Sequence, residues 1–278
     1  MNNMNRVGIF INPIRKESLE PAFKMKEWLE NRKIICTVFD EYEIYYRWHE
    51  NDDRFNNMDL AVILGGDGTF LNVARALALS NIPIMGVNLG HLGFLTELDF
   101  DNIFERFEML FNGDFIMQKR YFLKVSIFDN QTRESFIAIN DAVISGVSNV
   151  RMIKVDVSWG KKNINSYRGD GVIFSTATGS TGYSLSAGGP IVFPELRTII
   201  VTPIAPHTLS SRSVILPRNV VLCAKVSEST GETQLIIDGA LSKPLTNKSI
   251  IEILTPSIFV NVITFEDVDF FSILRQKL

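Results

Sequence analysis

The stretch Leu60 to Ala78, LAVILGGDGTFLNVARALA, sets the tightest limit on how this chain can fold. An apolar run from Leu60 to Leu64 meets Gly65 and Gly66, one carboxylate at Asp67, a third glycine at 68 and then Thr69. Beyond it Phe70, Ala74, Leu77 and Ala78 recur at helical spacing, so the stretch predicts a buried strand, a tight turn and a helix over 70–79. The three glycines permit positive φ and leave backbone N–H groups and a helix N-terminus open to phosphate. A carboxylate beside phosphate repels it, unless it acts through a metal ion or takes a proton from an attacking hydroxyl. The same residues also describe a plain strand-end turn with an exposed Asp and Thr69 as helix cap. The turn has neither the GK[ST] ending of a P-loop nor a GxGxxG fingerprint.

Its neighbours set it in a pattern. Apolar runs at Val7 to Ile11, Ile34 to Phe39 and Ile82 to Val87 alternate with an amphipathic helix over 18–31 and the helix after Asp67. Strands alternating with helices predict a doubly wound α/β domain with a parallel-type sheet, here residues 1–98. Such sheets bind ligands beyond the carboxyl ends of their strands, where Gly65 to Thr69 falls. An acidic, aromatic segment up to about residue 57 fits no element. NLGHLGFL at 88–95 leads into a helix over 101–111, and its His91 is the histidine nearest the glycine turn, with a structural loop role the plainer reading.

From about residue 118 the pattern changes to short β-rich runs, among them 121–128, 137–144, 153–158, 172–175, 220–226, 250–254 and 259–265. Several alternate polar and apolar residues, which predicts antiparallel sheets in a β-rich, sandwich-like C-terminal domain over 99–265. The tail, 266–278, is expected to pack back on the first domain.

Size and charge narrow the partners. A chain of 278 residues suits two domains, and 28 basic against 31 acidic residues leave a net charge of −3, with no call for nucleic acid or an anionic membrane. No apolar run is long enough for a bilayer, and the N-terminus lacks a signal-peptide pattern. Cys36 and Cys223 sit in separate strand-like runs and read as free thiols rather than a disulfide or metal framework, which suits the cytoplasm.

A second dense block is Tyr167 to Val192, YRGDGVIFSTATGSTGYSLSAGGPIV. Six glycines between Arg168 and Pro190 are costly for a simple β-connection, at roughly 0.5–1 kcal/mol each in a regular element. A ligand that touches backbone accounts for them; the alternative is a flexible Gly/Ser loop. Hydroxyls and N–H groups suit ribose and phosphate, and Tyr183 could stack on a base. Asn140-Asp141 interrupts the run AINDAVISG, where an amide and a carboxylate match a ribose diol, or mark a bulge or strand end. Arg151 and Arg168 are candidate phosphate partners, or solvated loop residues. His207, among hydroxyls in PHTLSSR, reads as structural, with catalysis as the alternative.

Taken in order, GGDGT at 65–69, Asn140-Asp141, the block at 168–192, TPIAPHTLSSR at 202–212 and IDG at 237–239 strongly resemble the NAD kinase family. GGDGT alone is shared with lipid and sphingoid kinases, whereas the 168–192 block is more discriminating. The resemblance implies phosphoryl transfer from ATP, or polyphosphate, to the 2′-hydroxyl of the adenosine ribose of NAD. It implies Asp67 as general base, with Gly66, Gly68, Thr69 and Phe70 around the donor phosphates. Asn140 and Asp141 would hold ribose hydroxyls and Asp170 would face the nicotinamide side. Thr178, Thr181, Tyr183 and Ser186 would line the adenine and nicotinamide pockets, with Gly182, Ser184, Arg151, Arg168 and His207 also at the ligand. It further implies Mg²⁺ or another divalent cation on the donor phosphates, with no dedicated protein metal site, and a homodimer or homotetramer. Two departures stand out: Gly182 where many members have Ala, and Ala240 where Gln is common. The other readings are a lipid or sphingoid kinase and a non-catalytic NAD-binding sensor.

Overall fold

A computed structural model describes residues 4–40, 53–55, 57–90, 92–129, 132–147, 152–208 and 210–278. The chain divides into two compact units, Met1–Lys119 with Val260–Leu278, and Arg120–Phe259.

In chain order the first unit contains β1 (Arg6–Ile11), α1 (Leu19–Glu30), β2 (Ile35–Phe39), β3 (Leu60–Leu64), α2 (Asp67–Ala76), β4 (Ile84–Asn88), the short β5 (Leu98–Asp99), α3 (Ile103–Asn112) and β6 (Ile116–Tyr121). The second contains β7 (Leu123–Asp129), β8 (Thr132–Ala138), β9 (Asp141–Gly146), β10 (Ile153–Trp159), β11 (Lys162–Gly169), β12 (Gly171–Ser175), a one-turn helix α4 (Tyr183–Ser186), β13 (Thr198–Ile204), β14 (Val214–Pro217), β15 (Val221–Ser229), β16 (Thr233–Ile237), β17 (Leu241–Leu245) and β18 (Ile250–Leu254). The chain then returns to the first unit with β19 (Phe259–Thr264) and α5 (Phe270–Lys277).

The first sheet has the order β2-β1-β3-β4-β19-β6, with β5 beside β4. β1 pairs in parallel with β2 and β3, and β4 with β3, β5 and β19. All five residues of β3 are fully buried, as a strand covered on both faces requires. α1 turns Ala22, Met25 and Leu29 inward, and α3 turns Ile103, Phe107 and Leu110 inward before Gly113, at φ +88°, ends it in a left-handed cap. Trp28 of α1 rests on Phe104, Phe107 and Phe111 of α3.

The run at 259–265, grouped by its composition with the β-rich domain, is instead β19 of the parallel sheet, in register Val262 to Ile84. An apolar alternating strand carries no mark of its partner, so only the tertiary fold settles which sheet it joins. Likewise α3 and β6 as far as Lys119 belong to the first unit, so the division falls after Lys119, not after residue 98.

The second unit holds two six-stranded antiparallel sheets, β11-β10-β15-β18-β7-β8 and β14-β13-β12-β9-β16-β17. The run at 137–144 is two strands rather than one. β8 lies in one sheet and β9 in the other, and the chain changes sheet at Ile139-Asn140.

Candidate functional site

The glycine turn ends β3 and begins α2. Gly65 sits at φ +154°, and a Cβ there would lie 2.8 Å from Thr69 Oγ1, so the turn requires glycine. Gly66 is the extended N-cap, and the N–H groups of Thr69 and Phe70 both donate to its carbonyl. The helix therefore starts at Asp67, three residues before its apolar periodicity, because the polar first turn carries no apolar signal. Thr69 and Phe70 are buried, Phe70 completely, so the Phe70 side chain is core rather than ligand surface. The N–H groups of Asp67 and Gly68 have no acceptor among the described residues. Cβ atoms built on Gly66 and Gly68 meet nothing within 4 Å. The helix N-terminus thus presents two free donors to open space, which suits an anion.

Asp67 is not a loose turn residue. Its Oδ1 accepts from Leu95 N (3.0 Å), Thr96 N (3.2 Å) and Thr96 Oγ1 (3.3 Å), and its Oδ2 from Phe94 N (3.0 Å). The carboxylate ties the Gly93–Thr96 loop to the start of α2. Gly93 makes room for it: a Cβ there would lie 2.0 Å from Asp67 Oδ1. Buried Asn88, at the end of β4, holds the same loop from behind, donating to Thr96 O and Leu98 O and accepting from Gly90 N. Oδ2, with one bond, keeps room for another donor. None of Asn88, Gly93 and Thr96 is marked as a site residue by type alone; the Gly-punctuated NLGHLGFL run was the only signal. His91 within it lies outside the described residues.

In the second unit the site forms where β8 hands over to β9. Thr176 Oγ1 donates to Ile139 O (2.6 Å), and Thr176 N donates to Asn140 O (2.9 Å). A Cβ on Gly179 would lie 2.2 Å from Asn140 O, so the Thr178–Thr181 turn packs directly on that peptide. A cleft of about 460 Å³ opens beside it, lined by Asn140, Asp141, Tyr183 and Asp238 with Val143, Ser145, Ile236 and Gly239. Tyr183 is 48% exposed, a large ring held out at the cleft. Asn140 Oδ1, Ser175 Oγ and Thr178 Oγ1 are buried without a hydrogen-bond partner. Such orphaned atoms cost about 1–3 kcal/mol each unless something fills them. Asp141 is 6% exposed and its carboxyl takes no hydrogen bond from any described residue. Burial first, and the neighbouring Asp238 charge second, push it up to about 7.

The other expected residues differ in their surroundings. Ser184 is buried with its hydroxyl bonded to Thr202 (2.9 Å), and half-buried Thr181 donates to Thr178 O. Ser186 and Asp170 are exposed; the Asp170 N–H donates to Ile204 O. Gly182 adjoins Asn140, where a Cβ would sit 3.4 Å from its Nδ2. Arg168 is paired with Glu228 at 2.8 Å, an in-chain partner for the guanidinium, and its carbonyl accepts from the N–H of exposed His207. Arg151 lies outside the described residues. Asp238, which the IDG motif contained without marking as functional, lines the cleft.

The class follows from comparison with solved structures. Yeast NADH kinase complexed with NADH superposes with a TM-score of 0.88 at 26% identity, covering 99% of this chain and 88% of that one. An NAD kinase from Archaeoglobus fulgidus in complex with ATP shares the fold, with a TM-score of 0.76 at 23% identity over 97% and 98% of the two chains. The architecture is thus that of a small-molecule kinase. Residues 7–115 match the ATP-NAD kinase N-terminal domain and residues 139–264 the ATP-NAD kinase C-terminal domain. NAD kinases of Heliobacterium modesticaldum and Thermoanaerobacter sp. are each 37% identical over 99% of this chain and of their own. The chain belongs to the NAD kinase family, and not to the lipid kinases that share GGDGT.

Proposed function

We propose that this protein transfers the γ-phosphoryl group of ATP to the 2′-hydroxyl of the adenosine ribose of NAD, forming NADP and ADP. The observation that carries the reading is the cleft at the β8–β9 junction. There a buried carboxyl without a donor stands beside a buried amide oxygen without a partner, and a ribose diol supplies hydroxyls to both.

Asp67 takes the proton of the 2′-hydroxyl as its oxygen attacks the γ-phosphorus and the bond to the ADP oxygen breaks. Oδ2, which accepts a single hydrogen bond, is the oxygen for that task; the three donors on Oδ1 fix the orientation of the group. The free N–H groups of Asp67 and Gly68, and the space over Gly66 and Gly68, support a place for donor phosphates at the start of α2. Tyr183 is a stacking surface for a base, and Gly182 and Thr178 shape the same wall of the ligand site.

A divalent cation, Mg²⁺ or another, belongs to this reading. Mg²⁺ is commonly held by substrate phosphates with one or two carboxylates rather than by an all-protein cage, so the ion is proposed to ride on the donor's phosphates. When bound it neutralises the donor's charge. Homodimer or homotetramer assembly and a cytoplasmic setting complete the proposal; free Cys36 and Cys223 are in keeping with a reducing compartment, and no described helix is long and apolar enough to cross a membrane.

The test is direct. Purified protein is mixed with NAD, Mg²⁺ and either ATP or polyphosphate, and NADP is measured by chromatography, with NADH as a parallel acceptor. Asp67→Asn should lower turnover by about 10² or more while NAD affinity stays within a few fold. NAD binding with no NADP from any donor would make the protein a sensor and reject the reading; near wild-type turnover in Asp67→Asn would remove the base.

A further inference from the structure

We propose that Asp238 is a positioning residue for the ribose site: its carboxylate sets the direction in which Asn140 and Asp141 enter the cleft. The proposal rests on the NAD reading above.

Asp238 opens the turn between β16 and β17 at φ +46°, a left-handed conformation that L-residues rarely adopt. Its side chain reaches across to a distant part of the sequence. Oδ1 accepts from Asn140 N (2.8 Å) and Asp141 N (2.9 Å), and Oδ2 from Ile139 N (3.1 Å), while its own N–H donates to Asp141 O (2.9 Å). In an extended strand successive N–H groups point to opposite sides. Three in a row converging on one carboxylate require the backbone to leave strand geometry at 139–141, where β8 passes to β9 in the other sheet. The Asn140 peptide is then clamped from both ends, with its N–H on Asp238 and its carbonyl on the N–H of Thr176. Its side chain and that of Asp141 line one cleft, though adjacent strand residues point apart.

A second consequence is electrostatic. The titratable groups that face Asp141 across the cleft are Asp238, from the β16–β17 turn, and Tyr183, from α4; no Lys, Arg or His is among the cleft's lining residues. The Asp238 charge adds to burial in favouring the neutral Asp141 carboxyl, so the ribose meets a group that is partly protonated near neutral pH.

The experiment compares wild type with Asp238→Asn and Asp238→Ala. Asparagine keeps the shape and one acceptor oxygen but removes the charge and turns an NH₂ toward Ile139 N–H. Alanine removes all three contacts. KM and kcat are measured with NAD, NAD binding is followed by calorimetry from about pH 5.5 to about pH 8.5, and the Asp141 carboxyl is titrated by carbon-13 NMR in the ligand-free protein. In Asp238→Asn, KM for NAD should rise about tenfold with kcat within about threefold, and the Asp141 midpoint should fall by about one pH unit. Asp238→Ala should raise KM further. A residue that only stabilised the fold would lower the melting temperature without moving the midpoint. A folded Asp238→Asn protein with wild-type KM and midpoint would overturn the proposal, and this variant decides if the alanine protein does not fold. If the wild type fails to bind NAD, the ribose reading fails, and the carboxyl titration still reports separately on Asp238.

Discussion

Replacing Gly93 with alanine probes how the Asp67 carboxylate is held. The added Cβ would stand 2.0 Å from Asp67 Oδ1 and 2.4 Å from Thr96 Oγ1, against 3.4 Å for ordinary contact. Either the carboxylate or the loop must move by about 1.4 Å, and the Oδ1 bonds from Leu95 N and Thr96 N cannot both survive that move. Hydrogen bonds to charged groups contribute about 1.5–3 kcal/mol each, so losing one or two with partial relaxation should cost about 3 kcal/mol. In a thermal melt this appears as a Tm lower by about 6–12 °C. A displacement of about 1 Å in a reacting group costs on the order of 10² in rate, so kcat should drop by about that factor while KM for NAD changes little. A Gly93→Ala protein that melts and turns over like wild type would show that the Asp67 contacts with this loop do not orient the carboxylate.

Gly68→Ala makes the complementary measurement. Nothing in the chain lies within 4 Å of the new Cβ, so stability should hold or rise by up to about 1 kcal/mol while KM for ATP rises; unchanged kinetics would remove phosphate from that space. Gly179→Ala, whose Cβ would press to 2.2 Å on Asn140 O, should weaken NAD binding and lower Tm, whereas Gly182→Ala, at 3.4 Å from Asn140 Nδ2, should stay within about threefold of wild type; equal effects would refute the packing argument. Asp141 has its folded value raised from 3.8 to about 7, so its contribution to stability is complete below about pH 3.8 and is lost as pH rises through 7, at most about 4 kcal/mol. Asp141→Asn should flatten that slope in urea melts from pH 4 to pH 8, and an unchanged slope would refute it. Tyr183→Ala should raise KM for NAD more than it lowers kcat, measured by initial rates.

Much of this protein is legible in the order of its residues. A five-residue apolar run closed by two glycines reads as a strand covered on both faces, and β3 spans Leu60–Leu64 as that reading predicts. Glycine, Asp and Thr after it announce a tight turn into a helix, and the long hydroxyl-rich block announces a folded connection. These signals are local: each depends on the chemistry of a few neighbours in the chain.

What the tertiary structure decided are the pairings between distant segments. Whether β19 joins the parallel sheet, where 137–144 breaks in two, and which carboxylate holds that break depend on distant partners, Ile84 for Val262 and Asp238 for Asn140. The same holds at Asp67. By sequence it is one acid among glycines; in the fold it is an oriented group, its Oδ1 tied to the loop after β4 and its Oδ2 left with room for one more donor, because a carboxylate takes its direction from donors that only packing brings to it.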